Sequence, residues 1–337
     1  MHFLITGHTG FKGAWLTLLL KNLGHTVSGV ALNPEKSSLF EIAELNKLLN
    51  FDERLDIRDS KKLKRAFEKI NPEMVIHLAA QPLVRLSYEN PRETFETNVN
   101  GTFNVLESLK NLSDLQATLI ITTDKVYKNI NSKKLYIESD PLGGDDPYSA
   151  SKAMADLMTQ SYIKSFDLQK IAIARAGNVI GGGDFSKDRL VPDLLRGFAE
   201  NKTVKIRYPQ AVRPWQHVLD CLNGYYELIM QVKSNNYSGA WNFGPEIESF
   251  KTVTDVAEFI SKSWSANASW EKVVGQNWPE AELLMLNSNK AQENLGWRNK
   301  LDFTQTLEWT VDWQKEVLNG DSALQVSTSQ IEKFLSI

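Results

Sequence analysis

Five short runs in the first half of the chain are apolar almost throughout: residues 2–6 (HFLIT), 26–31 (TVSGVA), 74–79 (MVIHLA), 117–122 (ATLIIT) and 171–175 (IAIAR). A strand with one face in solvent alternates apolar and polar residues, whereas one covered on both faces does not. These runs therefore predict buried strands. The stretches between them, 13–23, 60–70, 92–110 and 148–166, have the pattern of helices. Regular strand–helix alternation predicts an α/β fold in which a doubly wound parallel sheet is covered by helices on both sides.

The pattern changes after about residue 177. A glycine-rich loop, GNVIGGGDF, leads into short helices, Trp/Pro turns and weaker strands. A smaller C-terminal domain is expected from 178–215 and 244–337, interleaved with a first domain of 1–177 to which the chain returns near 216–243. Residues 318–337 read equally as a helix or a loose tail. A chain of 337 residues has room for about two domains of roughly 150 residues each.

Composition narrows the function classes. With 42% hydrophobic and 23% charged residues the chain has the make-up of an ordinary globular protein. A net charge of −3 offers no basic field, so neither nucleic acid nor an anionic membrane is an expected partner. One cysteine, Cys221, allows no intrachain disulfide and suits a reducing compartment. The start, MHFLITGHTGFKG, lacks a basic leader and breaks into glycines, which marks a first strand and not a signal peptide. No run approaches the ~20 apolar residues of a membrane span. A soluble cytoplasmic protein is expected. The five histidines, at 2, 8, 25, 77 and 217, are scattered without a carboxylate cluster, so no metal is expected. His77, on an apolar run, reads as a satisfied core residue.

Candidate chemistry begins where the first strand ends. Gly7-His8-Thr9-Gly10-Phe11-Lys12-Gly13 has the spacing G-x-x-G-x-x-G and opens the first helix. Glycines there permit a tight turn, close backbone approach to a pyrophosphate and close helix–strand packing, with the helix N-terminus facing the phosphates. This makes the sheet Rossmann-type and the first domain the dinucleotide-binding one. An acid usually ends the second strand and meets the adenosine ribose; here the strand runs out in Ala31-Leu32-Asn33-Pro34. Asn33 is a neutral candidate for a ribose hydroxyl, so NAD is favoured and NADP stays open. Asp56-Ile57, in the third strand region RLDIRD, is placed to meet the adenine or simply to cap a strand end.

The second candidate is LIITTDKVYKN, 119–129, where an apolar run ends in Thr123 and an acid and an amine, Asp124 and Lys125, follow at once. Further on comes Tyr148-Ser149-Ala150-Ser151-Lys152. Tyr148 and Lys152 at i and i+4 share one helix face. A lysine cation beside the phenol is expected to lower the tyrosine pKa and make Tyr148 a general base for an alcohol, with Thr123 bonding the same oxygen.

Taken in order, GHTGFKGAWL, HLAAQPLVRLSY, TNVNGT, TTDKVY, DPLGGDDPYSASK, ARAGNVIGGGDF, DRLVPDLLRGF, VRPWQHV and WNFGP resemble the landmarks of the extended short-chain dehydrogenases/reductases. Within that group they are similar to the nucleotide-sugar 4,6-dehydratases, and most of all to the branch acting on CDP-glucose. The resemblance runs to about residue 313. It implies oxidation of the sugar at C4, loss of water across C5 and C6, and return of the stored hydride to C6, giving CDP-4-keto-6-deoxyglucose for deoxysugar biosynthesis. It also implies roles for the pair after the threonine, usually Asp-Glu in these enzymes and Asp124-Lys125 here. Asp124 would protonate the departing 6-hydroxyl. Lys125 would remove the C5 proton or stabilise the enolate.

Leu78, Ala79 and Ala80 are further candidates for the cofactor site, and Asn178 matches a family asparagine near the substrate diphosphate. Arg189 and Arg213 are candidates to clamp phosphate oxygens or else form surface ion pairs, and Trp215 stands beside Arg213. Arg85 and Ser87 follow the fourth strand, either on the substrate side or away from it. In WPEAELLMLN, 278–287, no arginine stands where many relatives bind phosphate. A homodimer through the helices at 92–110 and 148–166 is the family habit. The alternatives are a dehydratase or epimerase for another nucleotide sugar, and a nicotinamide-sensing protein without chemistry. A simple epimerase has no use for Asp124-Lys125, and an intact Thr123, Tyr148 and Lys152 set argues against loss of catalysis.

Overall fold

A computed structural model describes residues 1–166, 170–273 and 283–337. Seven strands form one sheet: β1 (His2–Thr6), β2 (Thr26–Ala31), β3 (Asp52–Arg54), β4 (Met74–His77), β5 (Ala117–Ile121), β6 (Ile171–Ala176) and β7 (Gly239–Phe243). All pairings are parallel, in the order β7-β6-β5-β4-β1-β2-β3. The order reverses between β1 and β4, and the crevice beyond the carboxyl ends of such strands is where α/β proteins bind ligands.

The near-continuous apolar runs are explained by two cores. Phe3, Ile5 and Ile76 point into one, with α1 (Phe11–Asn22) and the later helices. Leu4, Val75 and Ile120 point into the other, against α2 (Ser60–Ile70) and α3 (Gly101–Leu109). Alternate side chains of each strand thus bury on opposite faces. His77 lies in register with Thr6 and is buried, its ring nitrogens 2.6 Å from Thr6 Oγ1 and 3.0 Å from Thr102 Oγ1. Burial pulls its pKa down to about 3, so it is a neutral core residue.

The predicted strands and helices fall close to the observed ones, with three differences. β4 stops at His77, so Leu78 and Ala79 belong to the loop beyond it. β3 ends at Arg54, which leaves Asp56 and Ile57 past the strand. The helix expected over 92–110 is Pro91–Phe95, a wider π turn at Glu96–Asn100, and then α3. Asn98 in that turn is buried, accepting from Gln81 N (2.8 Å) and donating to Ser151 Oγ (2.9 Å).

Helix α4 (Pro147–Ser165) begins where Asp146 accepts from Ser149 N (2.9 Å) and Pro147 fills the first turn, where no intrahelical N–H is needed. The chain returns to the sheet through α5 (Val218–Asn235) and β7. A third core gathers Val191, Leu195, Phe198, Trp215, Val256 and Ile260. Helix α6 (Phe303–Leu318) gives Leu307 and Val311 to this core, and Trp309 and Trp313 to the one against α1. The end of the chain is a helix and not a tail: α7 (Ala323–Ser336) starts on the Ser322 cap and buries Val326, Ile331 and Phe334. Among the described residues no helix is long and apolar enough to cross a membrane.

Candidate active site

A cleft of about 1220 Å³ lies beyond the carboxyl ends of the strands and is closed on its far side by residues of the third core. Gly7 turns the chain out of β1 with φ 78°. A Cβ there would sit 2.7 Å from Ala79 N, and one on Gly13 would overlap Gly7 O, so both positions require glycine. The turn delivers the first turn of α1 to the cleft, where Thr9, Gly10, Phe11 and Lys12 join Leu78, Ala79, Ala80, Asp56 and Ile57 in the wall. Unpaired N–H groups at a helix start suit a diphosphate, and the close backbone packing leaves room for one. The residues fit a dinucleotide. Asp56 is held below the usual carboxylate range by the Arg58 guanidinium, with N–O distances of 2.6 and 2.9 Å. Asn33 does not reach this wall: β2 ends at Ala31, the chain turns outward, and Leu32 takes the lining position.

The chemical end is built from β5 and α4. Thr123, Asp124, Lys125, Tyr148 and Lys152 all line the cleft. Thr123 donates to Asp124 Oδ1 at 2.9 Å, and Lys125 Nζ lies 3.6 Å from the same oxygen. Asp124 is fully buried, and its Oδ2 has no hydrogen-bond partner among the described residues. Lys152 Nζ donates to Ile121 O at 2.7 Å, anchoring α4 to the end of β5.

The expected lowering of the tyrosine pKa is not found in the protein alone. Burial pushes Tyr148 up to about 12, and a hydrogen bond with Thr123 offsets only part of that. Burial, and then the charge of Lys12, bring Lys152 down to about 8. A lysine depressed from 10.5 to about 8 costs stability fully below pH ~8. Between that value and 10.5 the folded protein is deprotonated while the unfolded chain is still charged, so stability rises with pH. Lys152→Met is therefore expected to melt higher than the parent at pH 7 without cofactor, by up to a few kcal/mol less the lost bond to Ile121 O. The advantage should vanish near pH 10.5; thermal melts across this range check it, and a pH-independent difference would contradict it.

On the substrate side Asn178 has φ 48° and a buried Oδ1 without a partner among the described residues, as a ligand-facing amide would. Arg213 is buried and donates to Val212 O (2.9 Å), and Trp215 Nε1 donates to Lys251 O (3.0 Å); both line the cleft. Arg189 pairs with Asp184 at 3.1 Å. Arg85 reaches Asp188 (3.0 Å), which Arg207 also approaches (3.5 Å), so one carboxylate joins arginines from separate parts of the rim. Ser87 does not face the cleft. It is buried in the helix Val84–Glu89, and its hydroxyl donates to Val84 O. The arginine-free stretch at 278–287 lies, through residue 282, outside the described residues.

Among the cleft residues that the sequence does not point to are Gly177, Asp184, Asp188 and Arg207. Gly177 follows β6 directly, and a Cβ there would overlap the Asp124 carboxyl. The signal for the aspartates was their position beside the arginine candidates in GGGDFSKDR.

A glycine turn into α1 on the same cleft as a strand-end threonine and a Tyr-x-x-x-Lys helix defines the extended short-chain dehydrogenase/reductase type. The sequence profile described as GDP-mannose 4,6 dehydratase matches residues 4–310, and the chain belongs to that family of nucleotide-sugar 4,6-dehydratases. It is 44% identical over 344 residues to the CDP-glucose 4,6-dehydratase of Salmonella typhimurium, covering 98% of this chain and 95% of that protein. DesIV, a dTDP-glucose 4,6-dehydratase from Streptomyces venezuelae solved with NAD and TYD bound, shares the fold at a TM-score of 0.82 and 24% identity, over 96% of this chain and 100% of its own. The UDP-glucose 4-epimerase of Thermus thermophilus, in complex with NAD, aligns at a TM-score of 0.82 and 25% identity over 94% and 99% of the two chains.

Proposed function

We propose that the protein dehydrates CDP-glucose to CDP-4-keto-6-deoxyglucose with NAD as a regenerated cofactor. The observation that carries this reading is the Asp124-Lys125 pair on the wall that also holds Thr123 and Tyr148. Dehydration needs a second acid and base beyond those of alcohol oxidation. Two such groups stand beside the first pair.

The wall formed by the glycine turn, Ala79, Ala80 and Asp56 would hold the dinucleotide. A bound oxidised nicotinamide supplies a reversible hydride acceptor and a positive charge near the phenol. Tyr148 takes the proton of the 4-hydroxyl, with Thr123 bonding the same oxygen. Once C4 is a ketone, the C5 hydrogen is acidic. Lys125 removes that proton or stabilises the enolate, and Asp124 protonates the 6-hydroxyl so that it leaves as water.

Residues 1–177, with the return at 216–243, form the dinucleotide domain in this reading, and 178–215 with 244–337 form the substrate domain. A homodimer is also proposed. Phe103, Met154 and Leu157, all more than 40% exposed, leave an apolar strip on α3 and α4 that a second copy would cover, and sedimentation equilibrium tests this.

CDP-glucose is expected to bind more tightly than dTDP-, UDP- or GDP-glucose in calorimetry. Tightest binding by another base would remove the CDP assignment and leave the dehydratase reading standing.

A further inference from the structure

Behind the cleft lies a charged network that meets the wall at Thr122. Arg175 on β6 and Asp156 on α4 are both fully buried and joined by two hydrogen bonds, Nε to Oδ2 at 2.8 Å and Nη2 to Oδ1 at 2.7 Å. Thr122 donates to Asp156 Oδ2 at 3.0 Å. Arg175 Nη1 donates to Tyr127 Oη at 2.9 Å and to Glu138 O at 3.0 Å. Tyr127 in turn donates to Asn242 Oδ1 on β7 at 2.6 Å. Asp156, Arg175, Tyr127 and Asn242 are all outside the cleft wall.

Removing two charges from water is costly, and apolar residues would fill the same space at less expense. What the network does is visible in whom it holds. Thr122 and Tyr127 stand on either side of Thr123-Asp124-Lys125. Asp156 follows Tyr148 and Lys152 at i+8 and i+4, on the same face of α4. Arg175 lies two residues before Gly177, which covers the Asp124 carboxyl.

We infer that Arg175, Asp156 and Tyr127 are positioning residues that fix the Asp124-Lys125 loop against the Tyr148 helix, and that the Tyr127 anchor serves the elimination step selectively. The inference rests on the division of labour proposed above. Its selectivity follows from the geometry. Thr123 is held from the upstream side by β5, by the Lys152 bond to Ile121 O and by Thr122. Downstream of Lys125, the nearest tie from this network is the Tyr127 hydroxyl. Backbone bonds from Gly143 N to Val126 O (2.8 Å) and from Lys128 N to Pro141 O (2.9 Å) keep the loop itself in place, so losing the hydroxyl is expected to loosen the acid and the amine within it and to leave the oxidising group where it is.

Tyr127→Phe keeps the ring and deletes the hydroxyl. With CDP-glucose and NAD it is expected to lower kcat by on the order of 10²-fold while KM stays within about twofold, because misplacing a reacting group by about 1 Å costs that much. Reduced nicotinamide should build up during turnover, and solvent-deuterium exchange at C5 should fall. Thr122→Val deletes the upstream tie and should slow oxidation and elimination together, with no build-up. A Tyr127→Phe protein that melts lower yet shows no build-up would make the network purely structural and overturn the inference. If Tyr127→Phe does not fold, Thr122→Val decides: unchanged kcat in that variant overturns the inference. Asp124→Asn run alongside separates the two levels, since absence of build-up there removes the underlying reading and this inference with it.

Discussion

Asp124→Asn is expected to oxidise its substrate and then stall, so that reduced nicotinamide accumulates while little 4-keto-6-deoxy product forms. The amide has the shape of the carboxyl but no acidic proton, so the 6-hydroxyl must leave unassisted. Loss of general-acid help costs typically 10²–10⁴-fold in the assisted step. Tyr148→Phe should instead stop the cycle before any reduced nicotinamide appears, because in the proposed cycle the phenol acts on the 4-hydroxyl first. Stopped-flow absorbance of the cofactor, with product quantified in parallel, distinguishes the two. If Asp124→Asn gives no reduction, the acid is needed for oxidation as well, and the proposed division is wrong.

Gly177→Ala should reproduce much of that phenotype without touching the acid itself. The added methyl would overlap the Asp124 carboxyl, which is sealed from solvent and held by Thr123 at 2.9 Å. It has little room to retreat. Displacement by about 1 Å is expected to cost on the order of 10²-fold in elimination. Tyr148 and Lys152, held by α4, keep their places, so oxidation should survive better than dehydration. Turnover equal to that of the parent would show that the carboxyl position is not what sets the rate.

These two residues also show where reading the sequence stopped. Asp124 could be found because it follows a strand-end threonine in a local pattern, and Tyr148 and Lys152 because helical spacing puts them on one face. Gly177 lies far along the chain, and nothing local says that its missing Cβ makes room for Asp124. Asn33 was misplaced because the pattern gave β2 correctly but not the outward turn after Ala31. Ser87 was misplaced because the phase of a short helix decides which side its hydroxyl takes, and here it takes the helix side. The π turn at Glu96–Asn100 was invisible because one wide turn hardly alters the hydrophobic period. The tyrosine pKa is raised and not lowered because burial outweighs the neighbouring groups, and burial is not written in the local sequence.

Helix α6 puts Leu307 and Val311 into one core and Trp309 and Trp313 into another. It works as a rivet between the layers on either side of the cleft. A jackknife opening about the cleft would have to pull two indoles or two aliphatic side chains out of close packing, and interiors of that density do not deform smoothly. Movement at the cleft is then expected first at the rim, where Asp188 holds Arg85 and Arg207 by contacts that water and salt can loosen.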